Sequence, residues 1–476
     1  MSKKEAELRA LRARAGAIRL PASMRLGAAT AAYQIEGAAT EDGKGESIWD
    51  RFAHTPGKIQ DGSNGDIACD HYRRWAEDIA LMKALGLDAY RFSIAWPRVI
   101  PDGRGRVNPA GLAYYDRLTD ALLREGIEPF VTLYHWDLPQ ALQDRGGGWL
   151  NRDIVEDFSA YTDLMSRRLG DRVKRWTTFN ELWNFTWNGY AFGEDAPGLH
   201  LGPKGALAAS HHALLAHGAA VPIIRANAPG ASVGIVFDVN HVSPASADAQ
   251  DIAAATRFDG AQNRWYLDAV FNGRYPQDML DLYGPLLPEI RGSDMEAIAV
   301  PLDYLGINVY RRSIMAAGSE LPPLNFKRIT PGSDFTYMGW EVHPESLYDI
   351  LAYVHENYRP PELIITENGS AYIDHVESDD RILDIERARY LVTHLEQAAR
   401  AIEDGIPLTG YFAWTLMDNF EWAAGFDARF GLVHVDFATQ RRLVKASGQI
   451  YASIIDARDH ASRGALKRLG GDIGIS

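Results

Sequence analysis

Two glutamates, Glu181 and Glu367, are the residues most suited to chemistry in this 476-residue chain. Each follows a short run of β-branched and apolar residues, Thr177-Thr178-Phe179-Asn180 before the first and Ile364-Ile365-Thr366 before the second. A carboxylate at the tip of a buried strand is poorly solvated, so its pKa responds strongly to its neighbours. Two such groups facing one another can divide acid and base roles between them. A separation of about 5–5.5 Å suits attack by one carboxylate on an acetal carbon, and a wider gap suits activation of an intervening water. Sequence alone supplies no distance, so both outcomes stay open at this point.

The elements that would carry these glutamates form a repeating pattern. Strand-like runs occur at 25–31, 87–94, 127–134, 173–179, 232–239, 303–309, 363–366 and 409–414. Helical spacing is read between most of them. Asn108 and Pro109 form a helix start, with Leu112, Tyr115, Leu118 and Leu122 on one face and Gly126 as the stop. Asn151 is read as the cap of a helix bearing Ile154, Phe158, Tyr161 and Met165. Further helices are read at 71–85 and 386–403. Eight strands alternating with helices predict an α/β fold, a single (β/α)8 TIM barrel with long βα loops at 37–70, 183–205 and 316–339. An open doubly wound sheet is less well supported, because no Gly-rich phosphate loop follows the first strand. Gly146-Gly147-Gly148 reads as a flexible loop without the Lys-Ser/Thr of a phosphate cradle. No linker or composition shift divides the chain. The expected organisation is a charged N-terminal arm, helical or disordered, at 1–16, a catalytic domain at 17–457 and a frayed tail at 458–476.

Barrel enzymes place reacting groups at the C-terminal ends of their strands. There the sequence puts Gln34, His135, Asn180, Asn308, Tyr310, Trp414 and, in the loop beyond, Glu421 and Trp422. Amides, carboxylates and flat rings converging on one mouth suit a polyhydroxylated ligand. The 12 Trp and 21 Tyr of the chain are permissive for such a site. The chain resembles the family-one glycoside hydrolases, the β-glucosidase family. The motifs are Thr178-Phe179-Asn180-Glu181 and Ile365-Thr366-Glu367-Asn368-Gly369, supported by residues 32–37, Asp70-His71-Tyr72, Tyr90-Arg91-Phe92-Ser93, His135-Trp136-Asp137 and Asn419-Phe420-Glu421-Trp422. The likeness runs from about Leu26 to about Ile454.

That resemblance implies an exo-acting β-glycosidase working by double displacement, with retention and without a cofactor. Glu367 would be the nucleophile and Glu181 the general acid, then base. Gln34, His135, Asn180, Glu421 and Trp422 would hold the hydroxyls of the terminal sugar, above Trp414. Arg91, Asn308 and Tyr310 would support the two glutamates, and Trp340, Trp183 and Phe185 would line the aglycone side. Glu421 would repel a 6-phosphate, so the expected sugar is unphosphorylated glucose, with some β-galactoside or β-fucoside turnover. The presence of Glu181 separates the chain from the thioglucosidase branch. The family's usual proline after the acid glutamate is Leu182 here, which implies a slight re-aiming of that loop. A transglycosidase uses the same residues; a non-catalytic sugar binder on this scaffold would have lost one glutamate.

Other features exclude rather than propose. A net charge of -14 disfavours nucleic acid as a partner. The basic first twenty residues lack the apolar core of a secretory signal, and no run of about 18 uninterrupted apolar residues suggests a membrane span. With one cysteine, Cys69, the expected address is cytoplasmic. His211, His212 and His217 lie in an apolar helical stretch without a metalloprotease-type carboxylate, so no metal is expected. The expected partners are small β-glucosides or cello-oligosaccharides, with a homo-oligomer open.

Overall fold

A computed structural model of the chain describes residues 3–470 apart from Ser333, with side chains described through His460. Its centre is a closed barrel of eight parallel strands: β1 (Arg25–Ala29), β2 (Ala89–Ser93), β3 (Glu128–Tyr134), β4 (Arg175–Asn180), β5 (Ser232–Asp238), β6 (Tyr304–Asn308), β7 (Leu363–Asn368) and β8 (Leu408–Trp414). Each strand pairs with its sequence neighbours, and β1 closes the ring against β8 and β2. These segments read as nearly unbroken apolar runs because helices cover one face and barrel-filling side chains the other. Gly27 shows how tightly the barrel is filled. A Cβ there would come within 2.6 Å of both Ala89 O and the Phe412 ring.

The barrel is irregular where chemistry was expected. The pairing of β4 with β5 shifts register between Thr177 and Asn180. That of β7 with β6 shifts between Ile365 and Glu367. A register shift turns the side chains that follow it relative to the rest of the strand. Both tips that carry a glutamate are therefore re-aimed locally.

Several expectations need correction. The segments read as long loops contain structure. Residues 37–70 include the helix Ile48–Ala53, started by a reciprocal cap between Ser47 and Asp50. Residues 183–205 include the helix Leu182–Thr186 and a wider turn over Trp187–Phe192. In 316–339, strands Arg312–Glu320 and Phe326–Ile329 build a small outer sheet with His241–Pro244. Short apolar stretches far apart in sequence pair here, which local periodicity does not reveal. The three glycines at 146–148 form a helix end and a short turn, with Gly147 at φ 82°. Asn151 accepts from the Asp153 amide one turn before the helix Ile154–Leu169, rather than capping it directly.

The N-terminal segment is the helix Lys3–Ala15. Leu8, Leu11 and Ala15 are buried, and Arg14 pairs with Glu396 at 2.6 Å. The segment expected to fray from 458 continues the helix Ala446–Gly470, in which Arg458 is buried and bonded to Met24 O and Asp88. Residues 471–476 lie outside the described residues. Helix Gly202–Asn227 has the length and apolarity to cross a membrane, yet 78% of its most apolar window is buried inside the protein. Its histidines pair with protein groups rather than with one another, His217 through Nδ1 with Thr178. His211 bonds Tyr275 and Asp294, a carboxylate distant in sequence, and His212 bonds Trp149 O.

Candidate active site

Glu181 stands where β4 ends and the helix Leu182–Thr186 begins. Its backbone is left-handed, φ 51°, and its N–H donates to Val236 O of β5. A non-glycine residue in this region is strained, and the packing around it must hold it there. Leu182, fully buried, anchors the first turn of the helix. The Glu181 carboxyl is fixed from both sides. Asn308 Nδ2 donates to Oε1 and Asn184 Nδ2 to Oε2, each at 2.6 Å. No cation lies within ion-pair distance of it among the described residues. Burial first, then the charge of Glu367, then that of Asp238, push its pKa well above the carboxylate range. The protonated form of Glu181 is thereby favoured, as suits a group that must give a proton.

Glu367 lies in the opposite environment. Arg91 Nη1 donates to Oε1 at 2.5 Å, and the Tyr310 hydroxyl donates to Oε2 at 2.6 Å. Burial raises its pKa, while Arg91 and the Tyr310 bond pull against that and favour the anion. Asn308, the donor to Glu181, also helps to favour the Glu367 anion. Its own orientation is fixed by the Thr366 hydroxyl, which donates to Oδ1 at 2.7 Å. The two carboxyls line one cavity, and the charge of Glu367 acts on Glu181, as neighbours in a paired-carboxyl site do.

Asn180 connects this pair to the sugar-sized chamber beside it. Its Oδ1 accepts from Arg91 at 2.6 Å and from Asn308 at 3.1 Å. Its Nδ2 donates to His135 Nε2 at 3.0 Å. His135 is buried, which depresses its pKa and keeps the ring neutral. With Nε2 accepting, the proton sits on Nδ1, which has no protein partner and is a free donor.

Across the chamber, Gln34 Nε2 donates to Phe420 O at 2.9 Å and to Glu421 Oε2 at 3.3 Å, leaving its own Oε1 unpartnered. Burial and the Glu367 charge raise the Glu421 pKa to about 8. Buried polar atoms without partners are uncommon in folded proteins. Here Gln34 Oε1 and His135 Nδ1 offer one acceptor and one donor to a hydroxylated ligand. Trp414 and Trp422 supply the flat faces, and His135 stacks near both at 5.9 Å. A Cβ on Gly369 would fall 1.8 Å from Trp414 O, so the close contact between the β7 loop and the end of β8 requires glycine there.

The cavity measures about 480 Å³ and is lined by Glu181, Glu367, His135, Tyr310, Trp414, Glu421 and Trp422 among others. Gln34, Asn180, Arg91 and Asn308 sit in the layer just behind these groups. Trp183 and Trp340 line the outer part, as expected. Phe185 does not. It is buried against Tyr134, Trp149 and Phe179, at ring separations of 5.2–6.4 Å, and belongs to the core. On a helix, residues 183 and 185 face different sides, so Trp183 and Phe185 cannot both meet the cavity.

The sequence reading did not assign Asn184, although it lies one helical turn beyond Glu181, where an i+3 side chain can reach back. Asp238, Arg311, Arg328 and Phe430 also line the cavity and were not assigned. The last two carry no local signal, because only the outer sheet and the β8 loop bring them in. A possible metal cluster, Asp374, Asp418 and His434, already holds Lys445 at 2.5 and 2.6 Å, with Arg387 and Arg429 beside it. Three cations among its carboxylates leave that cluster an ion-pair network.

A carboxyl whose neutral form is favoured and a cation-held carboxylate, lining one sugar-sized chamber, suit the cutting of an acetal bond in two displacements. The class defined by this fold and site is that of barrel glycoside hydrolases. The chain belongs to glycosyl hydrolase family 1, whose sequence profile matches residues 17–460. It is 46% identical to Beta-glucosidase A of Acetivibrio thermocellus over 444 residues, covering 92% of this chain and 98% of that protein. It is 44% identical to a 1,4-beta-D-glucan glucohydrolase of Thermotoga neapolitana over 439 residues, with the same coverage. The family 1 β-glucosidase structure from Thermotoga maritima superposes with a TM-score of 0.90 at 44% identity, covering 92% of this chain and 98% of that one. The same enzyme in complex with glucoimidazole also gives 0.90, at 92% and 99% coverage.

Proposed function

We propose that this protein is an exo-acting, retaining β-glucosidase that removes terminal non-reducing β-D-glucosyl residues from small glucosides and cello-oligosaccharides. The observation that carries the division of roles is the unequal setting of the two glutamates. Arg91 and Tyr310 hold Glu367 as an anion, and Glu181 has amides but no cation.

In the first displacement, Glu367 attacks the anomeric carbon while Glu181 protonates the departing oxygen. Ester formation removes the charge of Glu367, one cause of the raised pKa of Glu181. The pKa of Glu181 then falls, and the residue becomes the base that activates water for the second displacement. In this reading Asn180 bonds the 2-hydroxyl through the second N–H of its Nδ2. Gln34, His135, Glu421 and Trp422 hold the remaining hydroxyls, and Trp414 lies under the ring. Names of relatives support the substrate class, since they include β-glucosidases and glucan glucohydrolases. Residence in the cytoplasm fits this reading, with the single cysteine, Cys69, buried and reduced.

The test is a panel of aryl β-glycosides assayed with wild type, Glu367→Ala and Glu181→Ala. Loss of the nucleophile is expected to abolish turnover by a factor on the order of 10³ or more. Loss of the acid should leave activity on good leaving groups that azide restores, releasing β-glucosyl azide. Failure of azide to rescue Glu181→Ala, or release of the α-azide, would overturn the assignment.

A further inference from the structure

The outer wall of the cavity carries two arginines that the glucose-cleaving reaction does not use. Arg311 follows Tyr310 beyond the tip of β6, and Arg328 lies on the outer strand Phe326–Ile329. Each is held by a ring. The Arg311 guanidinium lies 5.1 Å from the Trp340 centroid, and that of Arg328 lies 5.4 Å from Phe258. Among the described residues, neither makes a side-chain hydrogen bond or has a carboxylate within ion-pair distance. Arg91, deeper in the same site, by contrast donates to Glu367 and Asn180.

Asp238, whose charge acts on both, makes no ion pair with either. Its oxygens accept from Asn240 and Gln262, both at 3.3 Å, and burial lifts its pKa to about 6 even with the two arginines acting on it. Arg328 also disfavours the charge on Arg311, so the two cations repel one another across the wall. Up to ten N–H donors, in two planar forks, thus face a space that the aglycone must occupy. A carboxylate matches such forks geometrically and would relieve the repulsion.

We propose that the aglycone side of this site selects β-glucosides whose aglycone carries a carboxylate, bound by Arg311 and Arg328. This rests on the β-glucosidase reading and adds a substrate class to it.

The experiment compares 4-carboxyphenyl β-D-glucoside with its methyl ester, of nearly equal size. The readout is the ratio of kcat/KM, acid over ester. Arg311→Gln and Arg328→Gln should each lower that ratio at least fivefold, and Arg328→Glu should lower it further. Arg311→Lys should retain part of it, which covers the case where the glutamine variant folds poorly. Raising the salt concentration to 0.5 M should lower the wild-type ratio, because the contact is partly open to solvent. Calorimetric binding of 4-hydroxybenzoate, compared with its methyl ester, gives the same preference without turnover. A ratio and a binding preference unchanged within twofold in both glutamine variants would overturn the proposal. Wild type that hydrolyses neither glucoside overturns the β-glucosidase reading instead, and the binding comparison then decides the arginine site separately.

Discussion

At the scale of single residues, the site is an arrangement for keeping two chemically identical side chains in different protonation states. Glu181 and Glu367 are both buried, and both are raised by desolvation. Arg91 makes the difference. Replacing it with Met removes the cation that favours ionised Glu367, so the Glu367 pKa rises. The acidic limb of the kcat/KM profile should then move to higher pH, measured with an aryl glucoside. An unmoved limb would mean that another group titrates there. The alkaline limb belongs to Glu181, which must be protonated to act. With a substrate whose leaving group needs no acid, that limb should vanish in Glu181→Ala.

At the scale of elements, the register shifts in β4 and β7 and the left-handed turn at Glu181 aim the reacting groups. The helix Leu182–Thr186 is the hinge of this arrangement. One of its side chains, Trp183, faces the cavity, Asn184 bonds the acid, and Phe185 locks the helix to the core. Truncations at two aromatic positions should therefore separate two roles. Phe185→Ala is expected to cost about 3–5 kcal/mol of stability, measured by urea unfolding. Trp340→Ala should change stability far less, and raise KM for aryl glucosides. Equal stability losses would place Phe185 and Trp340 in the same role, against the geometry.

At the scale of the whole molecule, distant segments are tied by buried ions. Asp374, held by Arg387 and Lys445, has its pKa lowered to about 2. Lys445, His434 and Arg429 hold Asp418 lower still. Arg152 and a backbone amide do the same to Asp294. A carboxylate whose pKa is depressed in the folded state stabilises fully above its unfolded pKa of about 4. That contribution is lost as pH falls from about 4 to 2 and below, through the folded values. Through these carboxylates the melting temperature should drop steeply below pH 4. In Lys445→Met, wild-type and variant curves should converge at low pH, where the partners of Lys445 are protonated in both. The N-terminal helix belongs to the same assembly. Deleting residues 1–16 should lower the melting temperature, because Leu8 and Leu11 leave the core.

The sequence by itself determined the barrel and pointed to the pair of glutamates proposed to react. Strand β-propensity and apolar continuity are local and recur eight times, and a capping residue such as Asn108 marks its helix start locally. The motifs around Glu181 and Glu367 are contiguous, so their residue types and order were legible without coordinates. Only the tertiary structure decided which groups surround them. Arg91 meeting Glu367, Asn308 meeting Glu181, Phe185 turning into the core and Arg328 arriving from an outer strand all join positions far apart in the chain. Such contacts depend on how eight strands close and where inserted segments pair, and no local rule of spacing contains that information.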